Sequence, residues 1–225
     1  MSLGGALRAS LQDFYFNSWR LAPANLLWGA ILVAALIASP TSLIGLVLLI
    51  ALAVPTAGIY RMAALIARGE PAGFSDFLAG MRTLGPAALL LGLGAAALAF
   101  VLTTNIFLGL GANNPLGWLM SALALWGLVG LVMLLTTVWP LLADPRREHV
   151  GLRARLTLAG LVVIGRPGRV LALTAVVLVV LAVSTVLFAL LAMVSVAYVA
   201  LVSSRYVLPL ADNLEARLRE ARRAP

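Results

Sequence analysis

The sequence predicts an all-α, polytopic transmembrane helix bundle: six spans arranged as three hairpins, with interfacial amphipathic helices and both termini cytoplasmic. Three observations predict it. Of 225 residues, 63% are hydrophobic and 11% charged, where soluble domains run near half apolar and a quarter charged. The apolar residues come in long runs separated by Pro, Asn and Gly breakers. The charges fall only in alternate gaps between those runs.

The first run covers residues 21–37 and stops at Ser39-Pro40. The second covers 42–60, with Pro55 near its end. The third covers 84–110 and leads into a polar turn of Gly111, Asn113, Asn114 and Pro115. The fourth covers 116–142 and ends at Asp144-Pro145. After a basic segment, residues 170–204 carry no charge. As one helix that stretch would be about 52 Å long at ~1.5 Å per residue, against a hydrocarbon core of about 30 Å. It therefore reads as two short spans, with a tight turn near residues 184–188.

The charges set the topology. Ser39-Pro40-Thr41, the Asn113-Asn114 turn and the turn of the last pair carry none. Every basic residue is arginine, and all 16, with all 8 acids, fall on the opposite side. The positive-inside rule makes that side cytoplasmic. Five spans would leave the arginine-rich tail after Arg205 outside; six keep it inside. The segment before the first run reads as the flank of an uncleaved span rather than a signal peptide. Trp19, Tyr60, Trp139 and Tyr206 fall at the inner interface and Trp118 at the outer one, where amphipathic rings are favoured.

A weak internal repeat supports three hairpins. Residues 11–23, 74–86 and 152–167 each carry apolar residues at helical spacing, then an arginine, a proline and a span. Asp13-Phe14 and Asp76-Phe77 occupy matching places. The pattern predicts a helix in the inner interface followed by an elbow into the bilayer.

Several chemistries are excluded. Cysteine is absent and His149 is the only histidine, which removes disulfides, thiol catalysis and Cys/His zinc sites. No P-loop, H-E-x-x-H or G-x-S-x-G motif occurs. No cofactor is expected, and general acid–base catalysis has few candidates. The net charge of +8 sits between apolar runs, so membrane orientation explains it and nucleic acid is not an expected partner. The spans hold no Asp, Glu, Lys or His at mid-depth, which argues against a proton-coupled pump.

What remains in the spans is uncharged polarity. Thr136, Thr137, Ser184, Thr185 and Ser195 suit interhelical hydrogen bonds and back-bonding, each worth about 1 kcal/mol. A sharper reading places Asn25, Pro55 and Thr56 around a central inner cavity, because a proline breaks a helix beside hydrogen-bond donors. Thr103 and Asn105 would extend it into a polar path. Gly92 with Ala96, and Gly127 with Gly130, permit close helix approach. Residues 144–149 form the densest charged run. Arg146, Arg147, Arg153 and Arg155 around it offer a cytoplasmic docking face for a partner or for anionic lipid. The tail from 212 to 223 reads as helix, with Glu215 and Arg219 at i,i+4.

Asn25-Leu26-Leu27-Trp28, then Val54-Pro55-Thr56-Ala57-Gly58, Arg68-Gly69-Glu70 and the aromatic segment 74–82 together resemble the YesL family, small bacterial membrane proteins of unknown function. The family's last hairpin often turns on Pro or Gly, which this chain lacks between residues 170 and 204. The resemblance implies a bacterial plasma-membrane location. Through the frequent genomic association of that family with carbohydrate ABC transporters and glycoside hydrolases, it also implies a role in carbohydrate uptake. It supplies no catalytic residues. The expectation is a non-enzymatic accessory or regulatory component bound to another membrane protein, such as a carbohydrate ABC transporter. The alternative is a facilitator or channel for a small neutral solute, with a path along Asn25, Thr56, Thr103 and Asn105.

Overall fold

The computed structural model describes residues 2–38, 43–187 and 194–223. The helices are α1 (Leu3–Ala38), α2 (Leu43–Ala51), α3 (Ala53–Ala67), α4 (Phe74–Gly111), α5 (Pro115–Ala143), α6 (Leu152–Gly165), α7 (Pro167–Val186) and α8 (Val196–Arg223), with a 3₁₀ turn at Pro145–Arg147. No strand occurs among the described residues. Five segments are long and apolar enough to cross a membrane: Leu3–Ala38, Val47–Ala67, Phe74–Gly111, Pro115–Ala143 and Pro167–Val186. The expected fifth-to-sixth turn at residues 184–188 reaches the edge of the described residues, since α7 ends at Val186 and 188–193 lie outside them. The Ser39-Pro40-Thr41 turn also lies outside them.

The bundle is built around α3. Ala57, Ile59, Met62, Ala63 and Ala64 are fully buried, and the helix touches α1, α4, α5 and α8. Small residues make this possible, because they let helix backbones approach closely. Gly58 and Gly80 mark the α3–α4 crossing. A Cβ on Gly58 would sit 2.7 Å from the Phe77 carbonyl oxygen; one on Gly80 would sit 2.7 Å from Arg61 Cβ. A side chain at either position must push a helix away.

Pro55 accounts for the break between α2 and α3 at Leu52. Proline has no N–H for the Ala51 carbonyl, and its ring crowds that carbonyl. The Thr56 hydroxyl donates to the Leu52 carbonyl at 2.7 Å, meeting one of the acceptors near the break. At the opposite end of α4 the turn forms as its sequence dictates. Asn113 takes a left-handed φ of 46°, a conformation asparagine tolerates. The Asn114 side chain caps α5 by accepting from Gly117 N at 2.8 Å, with Pro115 in the first turn.

The repeated elbows differ from expectation. α1 and α4 run straight through Pro23 and Pro86 as single helices of 36 and 38 residues. Only the third unit breaks: Arg166 leaves helical geometry (φ −145°, ψ 57°) and Pro167 opens α7. The residue before proline is pushed from the α region by its own Cβ and N–H. Gly85 has no Cβ and escapes half of that clash; Ala22 carries the same Cβ and N–H as Arg166 yet stays helical, and nothing in the structure explains that difference. At ~1.5 Å per residue, α1 and α4 are each roughly 55 Å long. Both exceed a hydrocarbon core of about 30 Å, so each carries a separate segment at its arginine-bearing end.

Those segments pack together. The Arg20 guanidinium donates to the Ala72 carbonyl at 2.9 Å, and Arg205 of α8 pairs with Asp13 of α1. Trp139 stacks on Tyr60 with ring centroids 5.8 Å apart. At the charge-free end the α4–α5 hairpin stands clear of the bundle. Phe100, Phe107, Leu116, Leu123 and Trp126 are all exposed there, and a Cβ on Gly127 would press on Leu102 across the hairpin at 2.9 Å.

Candidate functional site

The most organised polar region is a buried charge network where α3, α5, α6 and α8 meet. Arg68, Asp144, Arg147 and Arg155 are placed at or beside helix ends, and Arg61, Asp212 and Glu215 on helix faces. Arg68 is the C-cap of α3. Asp144 follows the last residue of α5; its extended backbone (ψ 120°) leaves the helix, and its carboxylate accepts from Arg146 N to cap the 3₁₀ turn. That turn presents Arg147. Asp212 and Glu215 lie three residues apart on α8 and so share one face.

The Arg68 guanidinium donates to Asp144 through Nε (3.2 Å) and Nη2 (2.7 Å), and to Asp212 through Nη1 (2.5 Å) and Nη2 (3.1 Å). Arg147 donates to Asp144, to Asp212 at 2.6 Å, and to both oxygens of Glu215 at 3.1 Å. Arg155 donates to the backbone carbonyls of Leu142, Arg147 (2.6 Å) and Glu148 (3.0 Å). Arg61 donates to the Ala143 carbonyl at 3.3 Å and pairs with Glu148. Three arginines thus pair with four carboxylates, and Arg155 donates to carbonyls beside them. Asp144 is fully buried, and Arg147 and Arg155 are 5% exposed. Burying each such ion costs several kcal/mol, offset only when geometry and hydrogen bonds are good; here nearly every donor has an acceptor. The exception is Arg155 Nε, buried with no acceptor among the described residues.

The electrostatics favour the charged forms of Asp212, Arg68 and Arg147. Burial pushes the Asp212 carboxyl up, but hydrogen bonds from Arg68 and Arg147 outweigh it and leave Asp212 below the usual carboxylate range. Burial opposes the charge on Arg68 and Arg147, and their carboxylate partners more than restore it, so both sit above the ordinary arginine value. Arg155 is held down by burial, since it bonds carbonyls rather than carboxylates. A guanidinium keeps its proton at neutral pH, and Asp212 gives up its own well below it. The geometry therefore suits a clamp that fixes helix ends rather than a proton-transfer centre. No group of three or more His, Cys, Asp or Glu among the described residues is disposed to hold a metal.

The expected docking face is divided. Arg146 and Arg153 are exposed, while Arg147 and Arg155 are consumed inside the network. Glu215 gives both oxygens to Arg147 rather than lying free for Arg219.

The expected polar cavity is also divided. Asn25 is fully buried, and its Oδ1 accepts from Ala197 N at the start of α8 at 2.8 Å. One turn along α1, Trp28 Nε1 donates to Thr56 Oγ1 at 2.9 Å. Pro55 is buried beside Thr56. Asn25, Pro55 and Thr56 therefore gather around the α1–α3 crossing, with the Trp28 indole among them. Thr103 and Asn105 do not join them. Gly85 of α4 lies level with Val54, and Asn105 lies twenty residues further along, roughly 30 Å at 1.5 Å per residue; Thr103 is exposed there. Thr136, Thr137, Ser184 and Thr185 back-bond to carbonyls four residues earlier, and Ser195 meets Ser184 across α7 and α8.

The network was not visible as a pattern in sequence. Arg68 and Asp212 are remote in the chain, and only their common position at the ends of apolar runs hinted that they share a depth. Comparison with known proteins found no matching family model, no matching curated protein and no matching solved structure.

Proposed function

We propose that this chain is a non-enzymatic accessory or regulatory component of the bacterial plasma membrane, with six spans and both ends cytoplasmic, that associates with another membrane protein. A carbohydrate ABC transporter is the partner class that the resemblance to the YesL family favours. The observation carrying this reading is the α4–α5 hairpin. Beyond the bundle its side chains meet chiefly each other, and Phe100, Phe107, Leu116 and Trp126 are each more than two-thirds exposed. A hairpin of this kind offers two apolar helix faces to a neighbour within the bilayer. The polar groups of the spans, by contrast, bond mostly within their own helix, or between helices at Trp28–Thr56, Ser184–Ser195 and Asn25–Ala197, and Thr103 and Asn105 stand far from Asn25 and Thr56. That separation favours the accessory reading over a solute path.

The test is purification from the native membrane in mild detergent, with mass spectrometry of what stays bound. Photo-crosslinkers at Phe100, Phe107 and Trp126 provide the direct readout. A stoichiometric membrane partner crosslinked through the hairpin supports the proposal. Crosslinks to lipid alone, with no co-purifying protein, overturn it.

A further inference from the structure

We infer that the groove between α1 and the start of α4 binds the phosphoethanolamine headgroup of a lipid. The inference needs only that the chain lies in a membrane and is independent of the accessory role. The groove encloses about 510 Å³ and is lined by Trp19, Arg20, Pro23 and residues 71–76. Its walls are mostly apolar and aromatic, and two of its lining residues are charged: Arg20 and Asp76.

Both charges have unused capacity. Arg20 gives Nη1 to the Ala72 carbonyl, and its guanidinium carbon lies 4.5 Å from the centre of the Trp19 ring. No carboxylate lies within ion-pair distance of it among the described residues, so its remaining donors await an acceptor. Asp76 accepts from Gly73 N through Oδ2 at 2.8 Å, while Oδ1 has no donor among the described residues. The groove therefore pairs an open cation with an open anion and carries no net charge.

That combination selects a ligand class. A guanidinium fork suits a phosphodiester, which offers two acceptor oxygens. An open carboxylate oxygen suits a primary ammonium, and the exposed Phe74 ring adds a cation–π surface. Phosphoethanolamine carries both groups a few bonds apart. A purely anionic headgroup would satisfy Arg20 and confront Asp76. A choline headgroup has no N–H to give Asp76. The position is also that of a headgroup: Arg20 immediately precedes the apolar run of α1, Trp19 is 69% exposed, and amphipathic rings settle at the interface. Trp19, Pro23 and Phe74 supply apolar surface for the glycerol and first methylenes.

The experiment is native mass spectrometry of the full chain equilibrated with equal phosphatidylethanolamine, phosphatidylcholine and phosphatidylglycerol. Phosphatidylethanolamine should be retained at least several-fold over the others. Arg20→Gln should lose roughly ten-fold in retention of all phospholipids at this site. Asp76→Asn, which keeps an acceptor for Gly73 N, should lose only the preference for ethanolamine over choline. Equal retention of the three lipids by the unmodified chain, or a preference for phosphatidylglycerol, overturns the inference. So does soluble glycerophosphoethanolamine binding as tightly as the lipid, which would make the site one for a free metabolite. A measurement without variants guards against misfolding: a photoreactive phosphatidylethanolamine should label residues 19–23 and 71–76, and labelling only elsewhere overturns the assignment.

Discussion

Replacing Arg68 by methionine tests the charge network most sharply. The Arg68 side chain is 7% exposed and Asp144 is 0% exposed. Removing the arginine leaves Asp144 with only the Arg147 pairing, and leaves the network one negative charge in excess. Breaking a buried pair by deleting one partner costs about 3–5 kcal/mol. The second bond to Asp144 from Arg147 keeps the expected loss near the lower end, about 3 kcal/mol. The Arg68–Asp212 contact adds little to that figure, because the Asp212 side chain is 37% exposed and solvent screens it. Asp144→Asn should be comparably damaging, for it leaves two arginines short of a carboxylate. The double variant restores charge balance and should recover roughly 1–3 kcal/mol relative to the sum of the singles. The assay is unfolding in detergent followed by tryptophan fluorescence, for all four members of the cycle. A loss below about 0.5 kcal/mol for Arg68→Met, or strict additivity in the double variant, would refute the clamp.

Further outcomes follow from the same structure. Gly58→Ala should destabilise by about 1–3 kcal/mol, the usual cost of overpacking, because the new methyl meets a backbone carbonyl. Gly94→Ala and Gly130→Ala, with nothing within 4 Å, should leave the melting temperature within a degree or two. Acid should destabilise the chain in a defined window: Asp212 titrates below its ordinary value of 3.8 when folded, so its contribution is complete above that value and is lost as pH falls through the lower folded one. Melting curves should then be flat from pH 8 to about 5 and fall below about 4, and Asp212→Asn should flatten part of that fall. Finally, Asn25→Leu should cost about 1–3 kcal/mol by leaving Ala197 N buried without its acceptor; proteolysis at the α8 start should quicken, and an unchanged rate would count against that bond.

What the sequence made legible was what depends on transfer to an apolar medium. Charge-free runs marked helices, and the Asn113-Asn114-Pro115 turn formed where turn chemistry required it. What stayed hidden depends on contact between distant segments. No composition signal distinguishes α3 from its neighbours; it is central because Ala57, Gly58, Ala63 and Ala64 admit other helices on several sides. Pro23 and Pro86 looked like elbows, yet α1 and α4 continue through them, and of the three units only Arg166-Pro167 breaks. Arg147 and Arg155 looked as exposed as Arg146 and Arg153, because a charged run in sequence does not reveal which members turn inward. The expectation of a cavity at Asn25, Pro55 and Thr56 gives no sign of their actual partners, the Ala197 N–H and the Trp28 indole, because those lie on other segments or enter the sequence only as part of an apolar run.

The proposed topology puts every arginine-bearing segment on one side of the membrane by six crossings, one more than the five candidate spans among the described residues. The chain has no cysteine, so single cysteines at Ser2, Asn114, Arg153 and Arg219 can be labelled with a membrane-impermeant maleimide in intact cells and after permeabilisation. That topology predicts labelling of Asn114→Cys from outside, and of the other three only after permeabilisation. External labelling of Arg219→Cys would mean five crossings and would contradict it.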